Sequence, residues 1–80
     1  MTARVYRPRP VQVLVSADGT PEAVGRVAVE AVREEWLVED RWWTGRPLRR
    51  RYLEVVTADG ADRVVFRDLV SGRWFVQRGA

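Results

Sequence analysis

A small all-β domain of about six strands, either barrel-like or folded as a two-layer sheet, is what the sequence predicts. Three observations carry this expectation. β-Branched and aromatic residues recur in short alternating runs. Gly-containing turns, at Asp18-Gly19, Asp59-Gly60 and Ser71-Gly72, separate those runs. From Tyr52 onward, runs and turns succeed one another at the spacing of a three-stranded antiparallel meander. The alternative is an α+β domain with a helix over residues 22–38 lying on the sheet.

Taken in order, the first ten residues read as an extended N-terminal arm. Arg7-Pro8-Arg9-Pro10 places two prolines where neither the ring nor the preceding residue favours a helix. Residues 11–78 then form one β-rich domain. Val11, Val13 and Val15 alternate with Gln12, Leu14 and Ser16, the period of a strand. Ala17-Asp18-Gly19-Thr20-Pro21 closes that strand with strong turn chemistry.

Residues 22–38 carry two patterns at once. Val24, Val27, Ala28, Ala31, Val32, Glu35 and Trp36 fall near helical spacing, and Thr20 is placed to cap such a helix. Yet Val27, Val29 and Ala31 alternate, as do Trp36 and Val38, and Gly25-Arg26 suits a tight turn between a short strand and a long one.

Arg41-Trp42-Trp43-Thr44-Gly45-Arg46-Pro47 reads as a loop. Arg49-Arg50-Arg51 leads into a strand at Tyr52–Thr57. Ala58-Asp59-Gly60-Ala61 is a hairpin signal, and Arg63–Leu69 is the returning strand. After the turn at Val70-Ser71-Gly72, Arg73–Gln77 is the last strand. Trp74 and Val76 alternate with Phe75 there, so both faces carry bulk. Either both are covered or Phe75 marks an apolar contact patch.

Composition narrows the function classes. All fourteen basic residues are Arg; Lys, His, Cys, Ile and Asn are absent. A GC-rich coding bias accounts for much of this. Imidazole, thiolate and Schiff-base chemistry are excluded, together with the metal sites that need His or Cys. No disulfide can staple so small a chain. Ordering costs about 1.5 kcal/mol per residue, so large side chains must supply the compensating burial. Four Trp, two Tyr and two Phe are available for it.

Carboxylate pairs remain as conceivable acid–base groups. Asp18, Asp59 and Asp62 fall in predicted turns, where Asp bonds the backbone. Glu34, Glu35, Glu39 and Asp40 read as a solvated acidic face. Asp68 reads as a turn-ordering residue or a partner of Arg73. No enzyme, cofactor or metal is expected. Nor does any run approach the roughly 18 apolar residues of a membrane helix; Met1-Thr2-Ala3-Arg4 leads into no apolar signal-peptide run, and the cytoplasm is the expected location.

Charge is unevenly placed: residues 21–40 carry two Arg against six acids, whereas residues 41–60 carry five Arg against two. The candidate binding residues lie in the second of these stretches. Arg41, Trp42, Trp43 and Arg46 could offer an indole platform flanked by guanidinium groups, as single-stranded nucleic acid requires. Arg49, Arg50 and Arg51 could add phosphate contacts or pair with Glu34, Glu35 and Glu39. Phe75 is a candidate apolar anchor. Aromatic and Arg anchors equally dominate protein interfaces. Two partner classes follow: single-stranded DNA, or another protein, a second copy included.

From about residue 36 to 78 the chain resembles a small bacterial domain of unknown function. The resemblance rests on Trp42-Trp43, Tyr52, Val55 and Thr57 before Asp59-Gly60, then Phe66-Arg67-Asp68 and Gly72-Arg73-Trp74-Phe75-Val76-Gln77-Arg78. That domain occurs as a short stand-alone protein in actinobacteria. It is also similar to the C-terminal tail of the Y-family polymerase-like subunit of the inducible mutasome. The resemblance implies an all-β fold, a context in DNA repair near translesion synthesis, and contact with DNA or a polymerase-like subunit. It carries no catalytic residue to this chain.

Overall fold

The computed structural model describes residues 8–40 and 48–77. Seven strands form one antiparallel sheet: β1 (Arg9–Pro10), β2 (Val13–Val15), β3 (Pro21–Val24), β4 (Val27–Asp40), β5 (Leu48–Thr57), β6 (Asp62–Asp68) and β7 (Trp74–Gln77). Their order across the sheet is β1-β7-β6-β5-β4-β3-β2. The expected C-terminal meander is β5, β6 and β7. Arg9 and Pro10, within the extended arm, lengthen the sheet by pairing with Val76 and Phe75.

The helix alternative for residues 22–38 is overturned: the segment is β3, a turn and the first twelve residues of β4. Local geometry explains the outcome. Gly25 sits at φ 59°, a left-handed conformation that breaks a helix and closes a tight β-turn. Val24 and Val27 then pair directly across it. Five valines at 24, 27, 29, 32 and 38 favour the pleated state, and tertiary pairing with β5 outweighs the helix preference of the interspersed Ala and Glu.

The sheet curls into a half-barrel. The strands at its two ends, β1 and β2, are consecutive in the chain, so Val11 and Gln12 join the ends. Val11 N–H donates to Trp74 C=O (3.1 Å), while Gly25 N–H donates to Gln12 C=O (2.7 Å). Two register shifts in β4, between Val29 and Ala31 and between Val32 and Glu34, mark bulges that increase the local bend.

Alternation along β5 assigns the two faces. Leu53, Val55 and Thr57 point inward and are almost wholly buried. With Val24 and Val65 they form the core, against which Val11, Val29, Trp74 and Val76 pack. Thr57 is the one buried polar side chain among the described residues. Its Oγ1 donates to Asp59 Oδ1 at 2.5 Å and lies 3.2 Å from Ala61 C=O, tying the hairpin to the core.

Candidate binding surface: an aromatic row ending at an open strand edge

The outward residues of the meander form a row of rings. Trp36 lies opposite Tyr52, Tyr52 opposite Phe66, and Phe66 opposite Phe75. Ring centroids are 5.4, 4.9 and 5.2 Å apart, and the Trp36 and Tyr52 planes are within 6° of parallel. The spacing is that of neighbouring strands, so the register itself stacks the rings. Pro10 of β1 extends the row beyond Phe75.

Guanidinium groups lie over this row. Arg50 sits 4.5 Å from the Phe66 ring centroid and Arg73 5.7 Å from that of Phe75. Arg50 also donates to Tyr52 Oη at 3.2 Å. Phe66 is consequently buried although it faces away from the core. Both faces of the meander are therefore packed at Phe66, and Phe75 is a half-buried member of the row rather than an isolated patch.

Arg49, Arg50 and Arg51 do not converge. Successive residues of a strand point to opposite faces, which sets Arg50 on the aromatic face and its neighbours on the other. Arg49 Nε donates to Glu39 Oε2 at 3.0 Å, and Arg51 Nε to Glu35 Oε2 at 2.5 Å. Arg51 Nη1 reaches on to Gly19 C=O at 3.0 Å, clamping the β2–β3 turn against β5. Two of the three candidate phosphate contacts are thus engaged by acids. Arg41, Trp42, Trp43 and Arg46 lie outside the described residues.

The turn acids behave as turn acids. Asp18 accepts from Ser16 Oγ and from Thr20 N–H, which lowers its carboxyl from the ordinary 3.8 to about 2. Asp59 is also held below 3.8, first by the Thr57 hydroxyl, then by Ala61 N–H and Arg63. Asp68 accepts from Val70 and Ser71 N–H, at 2.8 and 3.2 Å, ordering the β6–β7 turn. Among the described residues no group of three or more acids could hold a metal ion, and no helix is long and apolar enough to cross a membrane.

Residue-by-residue reading missed the outer edge of β4. β3 pairs only with Val27 and Ala28 of β4. Beyond that, among the described residues, nothing pairs with the far side of the strand. Glu30 to Leu37 are all exposed, eight residues in succession. Trp36 is 38 % exposed and Leu37 64 %. Trp36 therefore ends both the aromatic row and the sheet at this border.

The phase of this edge follows from the ladder. Leu69 N–H donates to Arg49 C=O (2.9 Å), so odd-numbered residues of β5 bond to β6 and even-numbered ones to β4. Opposite the even ones stand Glu34, Trp36 and Val38. The alternate residues Glu35, Leu37 and Glu39 then aim their N–H and C=O groups outward. The acidic cluster read from sequence as a solvated face is thus a strand border whose acids are partly neutralised by Arg49 and Arg51.

No protein-family model matches the chain, and searches of the curated proteins and of the solved structures found no significant match.

Proposed function

We propose that this domain is a non-catalytic binding module that accepts an extended protein strand along the outer edge of β4, with Trp36 as anchor. The observation that carries this reading is the unbroken exposure of Glu30–Leu37 on a strand whose far side has no partner among the described residues. Unpaired strand edges take up additional strands through main-chain bonds, while side chains at alternate positions supply selectivity. The bulges and the edge acids restrict such pairing to partners that place apolar or basic groups opposite Glu34, Glu35 and Glu39. A DNA-repair context, implied by the resemblance of residues 36–78, makes a polymerase-like subunit the first partner to try.

A second reading, contact with single-stranded nucleic acid, draws its support from Arg50 and Arg73 over the aromatic row. It has less to work with on the other face, where Arg49 and Arg51 already hold acids.

Co-purification with the polymerase-like subunit, before and after nuclease treatment, separates the two. Strand addition predicts nuclease-insensitive capture that is lost on Leu37→Glu. Binding of single-stranded DNA that weakens with salt, with no protein captured, would replace the first reading by the second.

A further inference from the structure

Resting on the reading of β4 as a strand acceptor, we infer that the strand it accepts is β4 of a second copy of this chain, paired antiparallel about a two-fold axis at Trp36. Symmetry restricts the choices. A two-fold normal to the sheet keeps each aromatic face on its own side, so the axis must pass through a residue rather than between two. The regular part of the edge begins after the bulge before Glu34, leaving five centres to compare.

Charge excludes three of them, and continuity of the ring row chooses between the other two. Centring on Glu34 or on Glu35 sets that carboxylate against its own copy. Centring on Leu37 sets Glu35 against Glu39. Centring on Val38 sets no acid against an acid within residues 36–40, but it places Trp36 opposite position 40, so the two indoles do not meet. Centring on Trp36 places Glu35 opposite Leu37 and Glu34 opposite Val38. No acid then opposes an acid. Like charges directly opposite destabilise a strand pair, whereas opposite charges support it.

Hydrogen-bonding phase agrees. Glu35 and Leu37 both aim their backbone groups outward. Each Glu35–Leu37 pair therefore exchanges two bonds with the other copy, with Trp36 forming the close, non-bonded pair between them. Cα atoms of such pairs sit about 4.5 Å apart. The two indoles meet at the pitch already present within the chain, where centroids are 4.9 to 5.4 Å apart. The two rows of four rings become one continuous row across a fourteen-stranded sheet.

Light scattering and sedimentation of the full chain over a concentration series test this. The expected result is a concentration-dependent species of twice the mass of one chain. Leu37→Glu confronts Glu35 of the second copy at two symmetric places and should raise the concentration needed for pairing about tenfold. Leu37→Lys meets the same Glu35 favourably and should leave pairing intact or tighten it. Because Leu37 is largely exposed, both variants should keep the far-ultraviolet spectrum of the parent. A single-chain mass throughout the series, or an equal response to Glu and Lys, overturns the inference. If the chain is monomeric yet capture of a protein partner is still lost in Leu37→Glu, only the identity of the strand is wrong. If capture is also indifferent to Leu37→Glu, the strand-acceptor reading falls with it.

Discussion

At the scale of single residues, the most consequential side chains are those that join elements rather than those that look chemically reactive. Leu53 is 1 % exposed, within a core cluster of only four buried apolar side chains among the described residues. Leu53→Ala should cost about 2–5 kcal/mol. A domain this small holds only about 5 kcal/mol or little more, so the variant should be largely unfolded in a denaturant melt. Thr57→Val preserves shape but removes the hydroxyl that binds Asp59. We expect a loss of about 1 kcal/mol and a rise of the Asp59 titration toward 3.8, readable by carbon-detected NMR.

The carboxyls of Asp18 and Asp59 make stability depend on pH in a definite direction. Their folded-state values lie below the unfolded 3.8, so each contribution is fully present above that value. It is lost as pH falls through the folded-state range, down to about 2 for Asp18. The melting temperature should therefore drop between about pH 4 and pH 2, and Asp59→Asn should flatten part of that drop.

At the scale of elements, β4 is the strand on which sequence and structure differ most. Its Ala and Glu content permits a helix, and its valines permit a strand. Neither local preference decides, because both fall well short of the energy of a paired and partly packed ladder. Gly25 is the clearest local clue. A methyl group at this position would meet no other atom within 4 Å. Gly25→Ala should therefore cost only the strain of the positive φ, about 1–2 kcal/mol, seen as a lower midpoint with an unchanged fold.

The same strand carries a phase that hydrogen exchange can read. In dilute solution, amides of Glu34, Trp36 and Val38 should exchange slowly and those of Glu35, Leu37 and Glu39 quickly. At high concentration, Glu35 and Leu37 should become protected if a strand is added at this edge. A uniform rate along residues 34–39 would contradict the derived phase.

At the scale of the whole molecule, the half-barrel follows from a chain that places its first two strands at opposite ends of one sheet and joins them through Val11 and Gln12. The core lies inside the curl, and the aromatic row lies outside it. This arrangement explains why strand β7 has bulk on both faces. Trp74 and Val76 pack on the core, and Phe75 continues the outer row. It also explains why a run of three Arg does not make one basic patch. Arg51 holds Glu35 and the β2–β3 turn, Arg49 holds Glu39, and Arg50 lies over Phe66.

Alternation, Gly-containing turns and the lack of His, Cys and Lys were sufficient, read along the chain, to reveal the C-terminal meander and a narrow range of chemistry, while residues 22–38 stayed open between helix and strand. These are local properties, carried by residues one or two positions apart. The pairing of Trp36 with Tyr52, sixteen residues later, and of Phe66 with Phe75 depends on register between strands. So does the division of Arg49, Arg50 and Arg51 between opposite faces and acidic partners. Register is set by the combined burial of a whole face, bulges included, and only the folded sheet brings Trp36 to the end of a ring row at an edge that has no partner among the described residues.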